Sequence, residues 1–371
     1  MSRFWEAVLR AIVEAVRARR LLEIGVASGL MTAKLLDYCA ASDAVLYAID
    51  PHPQIDVEDW RARYGERLVF HQTLSLDVLR DIREIDVALI DGDHNWYTVF
   101  NELRLIEETA LKDRAVPPLI AFHDVDWPYG RRDLYYDPEN IPAAHRQPYR
   151  RLGLVPGEDE PVEGGVNWDL HNAITESSGH NGVRTAIEDF ASQSQLDWRL
   201  SFVPGFHGLG IAVTEERLAN NEALRRAIES VQTAEFLDAW ARELELARIS
   251  AEIEANRQVS GAREAIEVRL RSGLEERLEQ TDRLEELLVD AERRLAAVPE
   301  LQLRISELER ELADVRADAD RARAEAHALD QRLTLGEQVL ADVFSSPSWR
   351  LTQPLRTAKH SMARVRGVLG R

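Results

Sequence analysis

The chain has 371 residues, 45% of them hydrophobic, and a formal net charge of −19. This acidic balance argues against nucleic acid as a partner, because phosphate binding needs a positive surface. The single cysteine, Cys39, excludes an internal disulfide framework, and no stretch reads as a signal peptide or a membrane span. We therefore expect a cytoplasmic protein that is held, at most, on the inner face of the plasma membrane.

Helical and strand-like patterns alternate over the first 124 residues. Apolar residues at helical spacing predict an amphipathic first helix over residues 5–16. Short apolar runs follow, separated by helical patterns: Leu21–Gly25, Val45–Asp50, Leu68–His71, Val87–Asp91 and Leu119–His123. Strands separated by helices predict a parallel sheet with crossover helices.

Residues 125–180 form a long segment with few helical signals. A connection this long within a compact domain is typically a lid or a specificity element. Its aromatic side chains can stack on a sugar face, and Arg131 and Arg132 can pair with phosphate or carboxylate groups. We predict a lid that contacts the acceptor substrate, with an insert whose tyrosines and arginines only pack as the alternative.

A helix and two further strands complete the first domain. The helix is predicted over Asn181–Ser192, with Asn181 as its cap. The runs Trp198–Val203 and Leu209–Val213 are joined by a short turn, which predicts an antiparallel pair. Five parallel strands and this hairpin give an α/β, Rossmann-like sheet, and we assign the domain to residues 1–214.

The segment Leu21–Gly29 predicts a cofactor site at the first strand. Gly25 permits a sharp turn beside a ligand, and Gly29 permits close approach of the following helix. The spacing, Glu-x-Gly-x-x-x-Gly, differs from that of dinucleotide binders. Asp50 follows at the tip of the next strand, where an acid can accept both hydroxyls of a ribose. The structural alternative is a glycine pair that serves helix packing and a surface aspartate.

Acids and histidines gather at the ends of the fourth and fifth predicted strands: Asp91, Asp93, His94, His123 and Asp124. Ligands bind at this edge of an open α/β sheet. Oxygen-rich ligation favours Mg²⁺ or Mn²⁺, and we predict Asp91, His123 and Asp124 as its ligands. A histidine can instead take a proton directly, and we predict His94 and His123 as the catalytic residues, with His94 as the first candidate for the base. The structural alternative is that His94 only packs or forms hydrogen bonds.

Residues 21–124 resemble the class I S-adenosylmethionine (SAM)-dependent methyltransferases, in the branch that includes macrocin O-methyltransferase and the cephalosporin hydroxylase-like proteins. The resemblance is carried by Glu23–Gly29, Asp50, Ile90–His94 and Phe122–Asp124. It implies a seven-stranded methyltransferase sheet and SAM as the cofactor.

The resemblance also implies which residues contact SAM: Glu23, Gly25, Gly29, Asp50, Ser75, Leu76 and Asp91. The glutamate and the two glycines would line the methionine and the ribose, and Asp50 would hold the ribose. Ser75 and Leu76 would lie near the adenine. Asp91 would contact the ammonium group, bind a metal, or do both. Related enzymes use a divalent metal at these strand ends.

Beyond residue 215 the composition changes to that of a long charged helix. Two apolar seams step by threes and fours, as in a coiled coil. The first is Leu284, Leu288, Ala291, Leu295 and Val298, and the second is Ile305, Leu308, Leu312, Val315, Ala319, Ala322, Ala326, Leu329 and Leu333. We predict a coiled coil over 215–344 that breaks near Pro299. Self-association as a dimer is the first expectation, and an antiparallel fold-back is the alternative.

The last segment, residues 345–371, carries six Arg or Lys residues and no acid. It reads as a basic amphipathic tail that binds an anionic membrane surface or docks on the acidic body. Ser346–Arg356 resembles a segment that follows coiled coils in bacterial glycosyltransferases and surface-polysaccharide proteins.

These features predict an O-methyltransferase that acts on a sugar hydroxyl in bacterial surface-glycan assembly. A methyltransferase for a small natural product is the first alternative. A non-catalytic, SAM-binding coiled-coil scaffold is the second.

Overall fold

The computed structural model describes residues 1–295 and 301–345 of the chain. These residues divide into two compact units, Met1–Arg248 and a second unit that begins at Ile249. Within the described ranges, no helix combines the length and the apolar character needed to cross a membrane.

The described strands, in chain order, are β1 (Arg20–Ile24), β2 (Val45–Ile49), β3 (Leu68–His71), β4 (Val87–Ile90), β5 (Leu119–His123), β6 (Leu134–Tyr135), β7 (Tyr149–Arg150), β8 (His171–Ala173), β9 (Trp198–Val203) and β10 (Leu209–Thr214). One sheet has the order β3-β2-β1-β4-β5-β10-β9. Its first five strands are parallel, while β10 runs antiparallel to both β5 and β9. This confirms the predicted strands, their direction and the terminal hairpin.

The described helices are α1 (Arg10–Val16), α2 (Leu30–Ser42), α3 (Val57–Tyr64), α4 (Ser75–Val78), α5 (Trp96–Lys112), α6 (Val183–Gln193), α7 (Glu215–Ala219), α8 (Glu222–Ser230), α9 (Ala234–Leu295) and α10 (Leu301–Ser345). A 3-10 turn (Ser2–Phe4) and a π-helix (Trp5–Leu9) precede α1, so the predicted first helix is not a single α-helix. Phe4, Trp5, Val8 and Leu9 of this segment are all buried. The apolar spacing therefore predicted the buried face but not the helix type.

The first unit extends past residue 214, where the sequence placed its end. Leu224 and Ile228 of α8 and Trp240 of α9 are buried in the same core as β1 and β2. Trp240 also donates from its indole nitrogen to the carbonyl of Pro204, at 2.7 Å. These contacts carry the compact unit to Arg248, because the first helices after the sheet complete its core.

The insert between β5 and α6 is folded and contains a small sheet of order β6-β8-β7. Its arginines serve the fold. Arg131 pairs with Glu188, and the buried Arg132 donates to the carbonyls of Ala173, Ile174 and Asp159. The sequence offered Arg131 and Arg132 as partners for a substrate anion. That interpretation is wrong, because Arg131 already pairs with a residue of α6 and Arg132 already donates to carbonyl groups of the insert.

The predicted cap of α6 is also wrong. The helix begins at Val183 after Gly182 and has no side-chain cap. Asn181 instead uses its side-chain oxygen to accept from the Asp133 N–H, at 2.6 Å, and its amide to donate to the Thr175 carbonyl. Asn181 therefore connects two parts of the insert through hydrogen bonds and does not cap the helix.

In the second unit, α9 and α10 run antiparallel. Residues later in α9 contact residues earlier in α10. Glu285 pairs with Arg316, Arg277 donates to the carbonyl of Asp318, and Arg263 pairs with Glu337. All nine residues of the second predicted seam are buried or half-buried. The chain thus supplies its own partner helix in this structure, which is the fold-back arrangement. The predicted break at Pro299 and the basic tail after residue 345 lie outside the described residues.

Candidate active site at the strand ends

The turn that follows β1 is held by Asp50, which lies at the end of β2. Its Oδ2 accepts the backbone N–H groups of Val26 and Ala27, each at 2.9 Å, and its Oδ1 accepts that of His52, at 2.8 Å. An ionised carboxylate has about four acceptor positions, so these three bonds leave capacity for a ribose hydroxyl. Asp50 therefore shapes the predicted cofactor turn as well as facing it.

Gly25 is required at this turn by its backbone. Its φ is +89°, and a Cβ added there would lie 2.1 Å from the carbonyl oxygen of Asp91. A side chain at this position would separate the ends of β1 and β4. Gly29, also at positive φ, abuts the Trp60 ring, so the second glycine of the motif serves packing against α3.

Two polar groups beside this turn fit the amino-acid end of SAM. Glu23 is 2% exposed, and neither carboxyl oxygen has a hydrogen-bond partner among the described residues. Burial raises its pKa to about 8. Asp91 holds an ammonium group, that of Met1, 3.0 Å from Oδ2. An unsatisfied buried acid and a carboxylate that accepts an ammonium group are the groups that the methionine part of SAM needs.

Ser75 and Leu76 lie just past β3, as predicted. Ser75 is the first residue of α4, and its hydroxyl hydrogen-bonds the carboxyl group of Glu102 on α5. Leu76 is half-buried against the apolar cluster under α5. Glu102 was not singled out from the sequence, although an acid between the apolar positions Val99 and Leu103 was the available signal.

Asp91, His94, His123 and Asp124 converge at the ends of β4 and β5. His123 Nδ1 lies 2.6 Å from Asp124 Oδ2 and 3.2 Å from Asp91 Oδ1. His94 Nε2 lies 3.0 Å from Asp124 Oδ2 and 3.7 Å from Asp91 Oδ1. Asp93 stands apart and accepts from the Thr98 hydroxyl at the start of α5.

The electrostatics of this cluster follow from ion pairing inside a buried site. Burial alone would raise the pKa of Asp91, but contacts with His123 and His94 outweigh it and lower that pKa. The pKa of Asp124 is likewise held well below its usual range, mainly by His94. Burial would lower the pKa values of the imidazoles, yet the two carboxylates raise that of His123 to about 9 and that of His94 well above its usual value.

The three predicted metal ligands fit a single cation. One ligand atom each from Asp91, His123 and Asp124 lies within 4.8 Å of the others. Two carboxylates and one imidazole suit a divalent ion such as Mg²⁺ or Mn²⁺. Asp124 adopts a left-handed backbone, with φ of +58°, which is uncommon for a residue with a side chain and clusters at functional sites.

Aromatic residues of the insert surround His94. The Tyr129 ring stacks on it with a centroid separation of 5.7 Å, and the Tyr136 hydroxyl lies 3.3 Å from its Nδ1. Tyr136 is 52% exposed, so this side of the cluster is open to solvent. The sequence named the segment but could not assign these contacts.

His207, in the turn between β9 and β10, lies edge-on to His123 with a centroid separation of 6.2 Å. Its Nδ1 lies 3.2 Å from the carbonyl oxygen of Trp127. A carbonyl only accepts, so Nδ1 of His207 carries the hydrogen of this bond.

Part of the chain matches a known protein family. Residues 22–125 match the family described as "Methyltransferase domain". The matched segment is less than a third of the chain. The sheet order is typical of the class I methyltransferases, whose cofactor is SAM. Curated protein sequences provide no match to the chain.

Solved methyltransferase structures are similar to part of this chain at low identity. The SAH-bound methyltransferase PaMTH1 of Podospora anserina is 15% identical, with a TM-score of 0.36 over 56% of this chain and 76% of that one. The 1,6-didemethyltoxoflavin-N1-methyltransferase of Burkholderia thailandensis is 15% identical, with a TM-score of 0.31 over 55% and 77%. Human N-acetylserotonin methyltransferase in complex with SAM is 12% identical, with a TM-score of 0.32 over 57% and 53%.

Proposed function

We propose that this chain is a SAM-dependent O-methyltransferase that modifies a sugar hydroxyl in a bacterial surface polysaccharide or glycoconjugate. One observation carries the proposal. Asp91 belongs both to the cofactor turn, through its contact with Gly25, and to the cluster with His94, His123 and Asp124. A methyl donor held at the turn therefore lies next to titratable groups that handle an acceptor proton.

Each residue has a role in this reaction. SAM supplies the methyl group on its sulfonium, so the protein contributes alignment and a deprotonated acceptor. Asp50, Gly25 and Glu23 hold the cofactor. We assign His94 to take the acceptor proton at Nδ1, on the side of the exposed Tyr136, while its Nε2 donates to Asp124, which stabilises the imidazolium that results. A cation held by Asp91 and Asp124 would offset the negative charge that raises the pKa of His94, so that the imidazole is neutral before the reaction.

Asp91, His123 and Asp124 are the residues that would hold a divalent cation. Such an ion lowers the pKa of a hydroxyl group bound to it. We therefore expect turnover to require Mg²⁺ or Mn²⁺.

Two features support a sugar as the acceptor. Tyr136 of the insert is exposed, and its hydroxyl lies 3.3 Å from His94 of the strand-end site. Trp127 is exposed as well, and its backbone carbonyl contacts His207, which lies beside His123. Exposed aromatic rings beside a reactive centre suit stacking on a sugar face. The segment Ser346–Arg356, outside the described residues, adds the resemblance to proteins of surface-glycan assembly.

The first test is calorimetric titration of SAM and S-adenosylhomocysteine into the full chain. We compare wild type with Asp50→Asn, and use Asp56→Asn as the control, because Asp56 also accepts backbone N–H groups but at the start of α3. Binding that weakens only in Asp50→Asn supports the cofactor site. No binding by wild type would overturn the enzyme assignment and leave the coiled-coil scaffold as the better account.

Methyl transfer is then measured from labelled SAM to methyl glycosides and to simple phenols, with Mg²⁺, with Mn²⁺ and with EDTA. Transfer to glycosides that EDTA abolishes is the expected result. Transfer to phenols alone would replace the sugar acceptor with a small natural product.

A further inference from the structure

The β9–β10 turn, residues 204–208, has an unusual backbone. Four consecutive residues have positive φ: Gly205 (+92°), Phe206 (+47°), His207 (+70°) and Gly208 (+84°). Two adjacent residues with side chains in the left-handed region are strained, and such a conformation persists only where surrounding contacts impose it. The turn also brings His207 beside His123 at the strand-end site. The contacts that hold the turn therefore also place His207.

Two residues near the start of α9 contact this turn directly. The indole nitrogen of Trp240 donates to the carbonyl oxygen of Pro204, at 2.7 Å. Leu244 packs so closely on Gly205 that a Cβ added to this glycine would lie 2.4 Å from Leu244 Cδ2. The Trp240 ring also meets the Phe206 ring edge-on, with a centroid separation of 5.6 Å. The strained residues are thus held by α9 as well as by the two strands.

Trp240 also reaches His123 through one buried ring. Phe4 is 0% exposed, and its ring centroid lies 5.3 Å from that of Trp240 and 6.0 Å from that of His123. Trp240 itself is 4% exposed. Because protein interiors are close-packed, a smaller side chain at position 240 would leave space that the Phe4 ring can enter. The His123 imidazole would then lose the ring that supports it on this side.

We propose that Trp240 is a positioning residue for the reaction, which holds His123 through Phe4 and His207 through the β9–β10 turn. The inference rests on the proposed function of the strand-end site. It adds to that site a residue of α9, a helix that follows the predicted end of the domain at residue 214. Trp240 acts through the two imidazoles and is not itself a catalytic residue.

The first readout is the environment of the two imidazoles in the metal-free full chain. The protein is labelled with ¹³C-histidine, and the ring signals of His123 and His207 are assigned with His123→Gln and His207→Gln. In Trp240→Leu both signals are expected to shift at constant pH, because the aromatic rings around them change position. In Trp240→Phe the His207 signal should shift more than the His123 signal, since a ring stays beside Phe4 while the bond to Pro204 is lost.

The second readout is the affinity for Mn²⁺, measured by calorimetry. Trp240→Leu is expected to bind Mn²⁺ about tenfold more weakly than wild type, because loss of a residue that orients a metal ligand typically costs about 10- to 100-fold in affinity. Phe4→Leu should have a similar effect. The double variant should bind no more weakly than either single variant, since both changes remove one chain of contacts to His123.

The matched control is Trp198→Leu. Trp198 also donates from its indole nitrogen, to Glu107 at 3.0 Å, and its ring packs against Phe190. It is the first residue of β9, whereas the β9–β10 turn follows the other end of that strand. This variant is expected to lower the melting temperature while both histidine signals and the Mn²⁺ affinity stay as in wild type.

A Trp240→Leu protein that melts earlier but keeps both histidine signals and the Mn²⁺ affinity would show that Trp240 only packs, and would overturn the inference while the site stands. Equal changes in Trp198→Leu would overturn it too, because they would reflect a general loss of packing. If Trp240→Leu does not fold, an unshifted His207 signal in Trp240→Phe overturns the inference. If wild type binds no Mn²⁺, the metal part of the proposed function fails, and the histidine signals alone decide the inference.

Discussion

Asp50 and Asp133 both stabilise irregular backbone by accepting hydrogen bonds from N–H groups, but Asp50 lies near the surface and Asp133 lies in the interior. Asp50 accepts three backbone N–H groups at the rim of the sheet and is 9% exposed. Asp133 accepts the N–H groups of Trp96 and Gly182 and the hydroxyl of Tyr135, and is 0% exposed. Water can replace a lost partner at the rim but not in the interior. Under the proposed function, the carboxylate at the rim also faces the cofactor, whereas the buried carboxylate only connects segments of the backbone.

The largest effect is expected for Asp133→Ala. Two buried N–H groups and one buried hydroxyl lose their acceptor, at about 1–3 kcal/mol each, so the insert should lose about 3–9 kcal/mol of stability. Hydrogen exchange would show this as faster exchange in residues 125–182. Asp137→Ala is the control, since Asp137 caps only an exposed 3-10 turn through the Glu139 N–H. Equal rates of hydrogen exchange in the two variants would show that the buried carboxylate stabilises the insert no more than the exposed one does.

The second effect is a pH dependence of the insert. Burial raises the pKa of Asp133 to about 6, against its backbone hydrogen bonds, while the unfolded value is about 3.9. The native state therefore binds the proton more tightly, and this contribution to stability is full below about pH 4 and is lost as the pH rises through 6. The total is about 3 kcal/mol, because one pKa unit corresponds to about 1.4 kcal/mol. Chemical unfolding at pH 4, 5, 6 and 7 should show this slope in wild type and not in Asp133→Asn; parallel profiles would contradict it.

The smallest stability effect is expected for Asp50→Ala. The N–H groups of Ala27 and His52 are only partly buried, so water satisfies them, and the unfolding free energy should fall by only about 1–2 kcal/mol. Affinity for S-adenosylhomocysteine should nevertheless fall at least tenfold, because the turn loses its shape and the ribose its acceptor. A variant that unfolds as readily as Asp133→Ala would show that the rim carboxylate is structural after all.

Elements with a repeating apolar pattern were predictable from the sequence. The sheet strands, the β9–β10 hairpin and the α10 seam each bury the residues that their period selects. The strand-end cluster was predictable too, because parallel strands bring their carboxyl ends to one edge, and Asp91, His123 and Asp124 follow two adjacent strands.

The buried polar network was not predictable. Arg132 and Asn181 look like surface or cap residues, and only the folded insert shows that they satisfy backbone groups 40 or so positions away. The end of the first unit was missed for a related reason. The pattern of α8 resembles the charged helices that follow, and only its contacts with the sheet core show that Leu224 and Ile228 belong there.

The antiparallel pairing of α9 with α10 has a consequence for how the second unit responds to dilution. Both halves of the seam belong to one chain, so their effective concentration is set by the short connection between them, on the order of millimolar for such links. If the pairing stays within one chain, we expect it to be a first-order event whose melting temperature does not depend on protein concentration. The occupancy of a contact between copies would instead fall on dilution below its dissociation constant, and Leu308 and Leu312 would then lose their buried neighbours.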